Sequence, residues 1–255
     1  MQETSTPEER QSHVLAALAE RGRITTAELS ARFGISEDTA RRDFREMAAA
    51  GKIQRVHGAA LPASPAAMPF ARRYRISADE KVRLAWRSID LVAPGQVVLI
   101  DGGTTNLELA RNLPRDLAAT IITNSPRIAV ETSEHPFLEV ILLGGVFHKP
   151  SQMTLGARVL EEISQIRADL CFIGVHGLHA DYGLTTAGYD EARIKLAMMK
   201  ASAEVVALAT ANKFGTVAPH RFAAIGDLDM LVTEESAAAR DFAATAGIEG
   251  RLVFT

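Results

Sequence analysis

Over its first fifty residues the chain sets apolar side chains three and four positions apart; beyond about residue 95 it alternates short apolar runs with further stretches of helical spacing. The first regime predicts helices, the second strands with helices between them. Thr6-Pro7-Glu8-Glu9 has the form of a capping box with proline at the first helical position, and its helix turns Val14, Leu15 and Leu18 to one side before ending near Gly22. Thr25-Thr26-Ala27-Glu28 opens a second, short helix with Leu29 and Phe33 inward, closed by Gly34 as a left-handed cap. Ser36 caps a third helix from 37 to about 50, whose inward positions Ala40, Phe44 and Met47 follow the i, i+4, i+7 pattern. Only Gly34-Ile35-Ser36 separates the second helix from the third, the sharp corner of a helix-turn-helix. Lys52-Ile53-Gln54-Arg55-Val56-His57-Gly58 then alternates and ends in a glycine, as a strand leading into a hairpin would.

A stretch with three prolines in nine residues, Leu61 to Pro69, has small residues between them and reads as a semi-extended linker with no core of its own. Arg72, Arg73 and Arg75 follow, either to lie along DNA or to be solvated, the second being the expectation. From Ile76 onward, strands are expected at 96–101, 120–123, 138–143, 169–175, 204–209 and 230–233. Helices are expected near 79–92, 106–113, 126–133, 157–166, 191–202 and 236–246. Such alternation produces crossover units, a mostly parallel sheet and helices on both faces. The chain therefore divides into a winged helix-turn-helix at 1–60, a linker at 61–75 and an α/β domain at 76–255.

Charge sharpens this division. The chain carries a formal −3, yet residues 1–60 hold nine basic and nine acidic side chains, while 76–255 hold 16 basic and 22 acidic ones. The basic residues Arg41, Arg42, Arg45, Lys52 and Arg55 cluster on the third helix and the hairpin, a stripe fit to dock on double-stranded DNA. In a helix-turn-helix the start of the second helix enters the major groove, which here presents Ser36, Glu37, Thr39, Arg41 and Arg42, with Arg45 further along. Lys52, Arg55 and His57 on the hairpin would reach the phosphate backbone. A three-helix protein-binding domain with solvated arginines is the bland alternative.

Ligands in open parallel sheets bind at the carboxyl ends of strands. Asp101-Gly102-Gly103-Thr104-Thr105-Asn106 lies at the first such end and opens a helix, so that backbone N–H groups, two hydroxyls and a helix N-terminus converge as an anion cradle. It matches neither the nucleotide P-loop nor the dinucleotide fingerprint. Asn124 and Ser125, Gly144 and Gly145, and Lys213 end later strands and join the candidate effector site. Glu191 and Lys195 read most simply as an exposed i, i+4 ion pair. His176-Gly177-Leu178-His179-Ala180-Asp181 lacks a fourth ligand, so no metal and no other cofactor is expected. The lone Cys171 lies in an apolar run and reads as an inert core thiol. No apolar run reaches the roughly 18 residues of a membrane span, and the polar, acidic start is unlike a secretory signal, which favours a cytoplasmic location with no membrane partner.

Ile35-Ser36-Glu37-Asp38-Thr39-Ala40-Arg41-Arg42-Asp43-Phe44, followed by Gly51 to Ala59, closely resembles the signature of DeoR-type regulators. The resemblance implies that the segment is a recognition helix plus wing. Asp101 to Thr105, Gly144-Gly145, Gly183-Leu184-Thr185 and Lys213-Phe214-Gly215 resemble the sensor domain of the same family over 76–255. That implies a fold related to ribose-5-phosphate isomerase and an effector that is often a phosphorylated sugar or a related metabolite, and hence a repressor of carbohydrate genes; two operator half-sites imply a homodimer or larger. Three departures stand out: Ala40 replaces a larger aliphatic, Ala59 a second glycine, and Thr210 an aspartate. The competing class is a sugar-phosphate isomerase with an accessory binding domain. The acidic run such isomerases carry is missing, so the chain reads as a regulator and not an enzyme.

Overall fold

The computed structural model describes residues 5–64 and 68–255; residues 65–67, inside the stretch read as a linker, and the first four residues lie outside it. The N-terminal unit contains α1 (Pro7–Arg21), β1 (Ile24–Thr25), α2 (Thr26–Phe33), α3 (Glu37–Ala49), β2 (Ile53–Val56) and β3 (Ala59–Pro62). Both expected capping boxes form: Thr6 with Glu9, and Thr25 with Glu28. Gly34 closes α2 in the left-handed conformation, which gives the corner into α3. The three short strands form an antiparallel sheet in the order β1-β3-β2. Ala40, Phe44 and Met47 of α3 pack with Val14, Leu18, Ile24, Leu29 and Ile53 in one small core. Leu15 is not part of it; at 41% exposure it faces solvent, and Arg10 takes an inward position on α1 instead. Arg10 is buried because it forms a bidentate pair with Asp43 of α3, Nε to Oδ2 at 2.6 Å and Nη2 to Oδ1 at 2.9 Å.

The segment after the wing is more structured than its prolines suggest. β3 runs through Leu61 to Pro62, and Ala63 bridges Val217 of the second domain. A short helix, α4 (Phe70–Arg75), buries Phe70 among Leu84, Ile100 and Leu109, so residues 70–75 belong physically to the second domain. The aromatic ring supplies the apolar anchor that the proline-rich stretch lacks.

The second domain continues with α5 (Ala78–Ser88), β4 (Val97–Ile100), α6 (Thr104–Arg111), β5 (Ala119–Thr123), α7 (Pro126–Thr132) and β6 (Leu138–Leu142). It proceeds through β7 (Val146–His148), β8 (Met153–Leu155), α8 (Ala157–Ser164), β9 (Ala168–Ile173), β10 (Gly177–His179), β11 (Gly183–Thr186) and α9 (Tyr189–Lys200). The last elements are β12 (Ser202–Leu208), β13 (His220–Ala223), β14 (Met230–Thr233), α10 (Ala237–Ala246) and β15 (Leu252–Phe254). Seven strands form one wholly parallel sheet in the order β15-β14-β12-β9-β4-β5-β6. Successive side chains serve opposite faces: Val98 and Ile100 enter the core under α5 and α6, and Leu99 enters the one under α8 and α9. Cys171 is fully buried, and burial pushes its thiol up, as an inert core cysteine requires. The hairpin β7-β8, the antiparallel sheet β10-β11-β13 and the edge strand β15 add to the six strands expected. These strands are three or four residues long and hold too little alternation to register in the sequence.

Candidate functional site

The N-terminus of α3 stands clear of the core. Ser36 caps it, accepting from the Thr39 backbone at 3.1 Å, with its hydroxyl 2.9 Å from that of Thr39. Arg41, Arg42 and Arg45 are all exposed, as are Glu37, Lys52, Arg55 and His57. Arg41 is held back along the helix by Glu37 at 2.6 Å and Asp38 at 2.8 Å, and Arg42 by Glu46 at 3.1 Å. Exposed pairs of this kind are weak, so they orient the guanidinium groups without locking them. Arg41, Arg55 and His57 line one open cleft between α3 and the wing, which brings helix and hairpin residues to a single surface.

The second site lies at the carboxyl ends of β4, β9 and β12. A small cavity there is lined by Gly102 to Asn106, Gly174, His176, Lys195, Lys213 and Arg73. Five of the expected residues, Gly102, Gly103, Thr104, Thr105 and Asn106, thus come together with Lys213. Thr105 is buried and its hydroxyl has no hydrogen-bond partner. The amide of Asn106 is engaged in shaping the turn, donating to the carbonyls of Asp101 (2.9 Å) and Phe172 (3.0 Å). Asp101 lies beneath the cavity floor, where its Oδ2 pairs with Lys195 and accepts from the Gly174 backbone at 2.9 Å. Burial pushes its carboxyl up, against the pull of Lys195. Gly174 is required by space: a Cβ there would sit 2.7 Å from the Gly102 carbonyl oxygen and 2.8 Å from Asp101 Oδ2.

Besides Asp101, four expected residues lie outside this cavity. Asn124 works as a brace, its Oδ1 accepting from the Gly102 backbone at 3.0 Å, and the Ser125 backbone donates to Thr123. The Gly144 backbone donates to Glu162, and the space at Gly145 is filled by Leu155 and Val159. These pairs stabilise neighbouring turns, and none of the four residues lines the cavity.

Three residues reach the site from places that sequence spacing conceals. Arg73 of α4, expected in solvent, is partly buried at the junction of the cavity with two others. Lys195 and Glu191, expected as an exposed pair, are both 2% exposed and partner other groups: Lys195 pairs with Asp101, while Glu191 accepts from the Thr186 hydroxyl at 2.7 Å. His176 accepts from the Ala187 backbone at 2.9 Å through Nδ1. Burial, together with Lys195, Arg73 and Lys213, holds its imidazole well below the usual range, so the ring is neutral.

Positive charge dominates the pocket. Burial and the neighbouring cations Arg73, Lys81 and Lys195 push Lys213 down to about 7. Lys81 is lowered to about 8, chiefly by burial and then by Arg73, and its ammonium donates to the carbonyls of Arg73 and Ile76. Cations crowded into a poorly solvated space are destabilised by each other, and an anion relieves all of them at once. Among the described residues no group of three or more His, Cys, Asp or Glu side chains is arranged to hold a metal ion. Nor is any described helix long and apolar enough to cross a membrane.

Comparison with known proteins matches both domains. The DeoR-like helix-turn-helix domain model matches residues 10–65, and the DeoR C terminal sensor domain model matches 76–235. The HTH-type transcriptional regulator GlpR of Haloferax volcanii is 33% identical over 230 residues, covering 89% of this chain and 90% of its own. The glycerol-3-phosphate regulon repressor of Escherichia coli is 30% identical over 227 residues, covering 89% of this chain and 90% of its own. Among solved structures, ribose 5-phosphate isomerase A of Methanocaldococcus jannaschii aligns over 54% of this chain and 55% of its own at 17% identity. The TM-score of that alignment is 0.41. Reading head and sensor are both matched, each by its own model, and the chain belongs to the DeoR family of DNA-binding transcriptional regulators.

Proposed function

We propose that the protein is a repressor of carbohydrate-metabolism genes whose hold on operator DNA is switched by a phosphorylated sugar or polyol. The carrying observation is the cavity where the unpartnered, buried Thr105 hydroxyl meets Arg73, Lys195 and Lys213. Helix-terminal N–H groups, a hydroxyl and several cations around a small space are the donor set that a phosphate needs. The name of the Escherichia coli relative, a glycerol-3-phosphate regulon repressor, agrees in kind.

On the DNA side, Ser36, Glu37, Thr39, Arg41, Arg42 and Arg45 are assigned to the major groove, and Lys52, Arg55 and His57 to the phosphate backbone. A regulator with one reading head per chain needs two heads for a two-fold operator, so the working form is a homodimer or larger. Effector binding would favour a state that no longer holds the heads at operator spacing.

The test pairs thermal shift against a panel of sugar and polyol phosphates with operator anisotropy, on genomic fragments selected by the wild-type protein. Phosphorylated compounds should raise Tm where glycerol and glucose do not. Thr104→Ala with Thr105→Ala should abolish both the shift and the operator response while leaving operator affinity intact. Full retention of the response in that variant would refute the cradle.

A further inference from the structure

The segment between the two domains holds on to the effector cavity at both ends. On the wing side, the Ser64 hydroxyl donates to the carbonyl of His176 at 2.6 Å. Ser64 also donates through its backbone to Val217 at 3.3 Å, and the Val217 backbone donates to Pro62 at 3.4 Å. Val217 ends the turn that Thr216 fastens to Lys213, hydroxyl to carbonyl at 2.8 Å. On the sensor side, α4 delivers Arg73. Strand β3 of the wing therefore runs into contacts with the loops of two cavity residues, His176 and Lys213, and the chain returns to supply a third.

Arg73 and His176 face each other in an arrangement that lacks an acceptor. With Nδ1 of His176 accepting from Ala187, the proton of the neutral ring is on Nε2. Arg73 Nη1 lies 3.5 Å from that Nε2, so both atoms are donors and neither can accept from the other. Arg73 Nε is buried beside them without a partner. Buried donors left unmatched are unfavourable, and a shared oxygen satisfies them together.

We propose that Arg73 and His176 take one anionic oxygen of the effector between them, and that Ser64 carries this event from His176 to the wing. The inference rests on the effector reading above for its ligand class, but its two halves are tested separately. The oxygen is assigned to a phosphate, because Thr105 and Lys213 line the same cavity. Filling the gap draws Arg73 and His176 toward a common acceptor. The backbone of His176 is the acceptor of the Ser64 bond, so this contact passes the change directly to the end of the wing strand.

Inorganic phosphate is the probe for the first half, on the full-length protein. In the phosphate-free wild type, long-range ¹H–¹⁵N spectra should show His176 as the Nε2–H tautomer, with that proton moving downfield when phosphate is added. Arg73→Gln should weaken phosphate binding by about tenfold or more, the loss expected for one charge-assisted bond. An Nδ1–H tautomer, a His176 signal indifferent to phosphate, or wild-type phosphate affinity in Arg73→Gln would each overturn the pair; the tautomer is read in the wild type, so poor folding of the variant leaves the test standing. Ser64→Ala addresses the second half: phosphate affinity should stay within about twofold, and the sugar phosphate that moves operator affinity in the wild type should lose most of that effect. Unchanged coupling in Ser64→Ala overturns the transmission. If no sugar phosphate moves operator affinity in the wild type, the effector reading and the transmission fall together, while the Arg73–His176 pair is still decided by phosphate alone.

Discussion

Raising the pH from about 6 to about 8 should weaken effector binding, because its surroundings hold the ammonium of Lys213 down to about 7. Burial is the first cause, followed by Arg73, Lys81 and Lys195; Glu234 is the one carboxylate that opposes them. His176, on the other wall, is neutral throughout this range and does not contribute. A phosphate binds the charged form of Lys213 and restores its ordinary value near 10.4, so binding takes up a proton. Over this pH interval the charged fraction in the free protein falls from about nine-tenths to about one-tenth, which lowers affinity about tenfold. The effector's own second ionisation, near pH 6, returns about twofold by supplying more dianion. The net expectation is a loss of about fivefold, with proton uptake approaching about one per effector at the alkaline end. Lys81, lowered only to about 8 and engaged with two carbonyls, adds little. Isothermal titration at several pH values, repeated in buffers of different ionisation enthalpy, measures both quantities. Lys213→Arg keeps its charge throughout and should lose the decline, leaving only the twofold rise. Wild-type affinity that is flat or rises with pH, or that matches the arginine variant, would refute the reasoning.

Other perturbations probe the two domains separately. Asp43→Ala strands Arg10, whose pair is only 9% and 4% exposed, and should destabilise the reading head by about 3–5 kcal/mol, measured by chemical unfolding followed by circular dichroism. A loss below about 1 kcal/mol would mean that the pair is solvated in solution. Arg42→Ala should weaken operator binding by about 1–3 kcal/mol if it contacts a base, with discrimination relaxed at one position; a uniform loss across sequences with a shallower salt slope would assign it to a phosphate instead. Gly174→Ala places a methyl against the Gly102 carbonyl and Asp101, and should lower Tm and phosphate affinity together. A normal Tm in that variant would show that the Asp101–Gly174 turn relaxes easily.

The helices of the reading head were legible because each carries its own local signals. Caps at Thr6, Thr25 and Ser36 and the inward triplet Ala40, Phe44 and Met47 all lie within one or two turns of what they determine. The glycine-threonine cradle was legible for the same reason, being contiguous in sequence. Arg73, His176 and Lys195 were hidden because they meet the cradle only through the sheet topology, which brings β4, β9 and β12 side by side. A usable signal did exist for Lys195. Helix α9 leaves Tyr189, Asp190, Arg193 and Lys200 exposed on one face and sets Lys195 in the middle of the other, among Ala192, Ile194, Met198 and Met199, so a charged residue there has to find a buried partner. For His176 the signal was its position just past the end of β9, where open sheets bind ligands. Arg73 offered none, since the value of a basic residue after a proline-rich stretch depends on where Phe70 anchors the chain.

That anchoring also explains how an acidic sensor can serve as an anion receptor beside DNA. Residues 76–255 carry 22 acidic against 16 basic side chains, so the domain as a whole repels the duplex. Lys81 and Lys195 are fully buried and Lys213 and Arg73 partly so, which leaves them little weight in the outer field. Inside, with few waters to screen them, the same charges act strongly on any ion small enough to enter. On this reading burial separates two phosphate chemistries by size: the polymer would meet the exposed residues of α3 and the wing, and the metabolite the concealed cations. On the proposed reading the two surfaces communicate where Ser64 bonds to the His176 backbone and Arg73 faces its ring, which would give a single buried imidazole more bearing on the switch than the net charge of either domain.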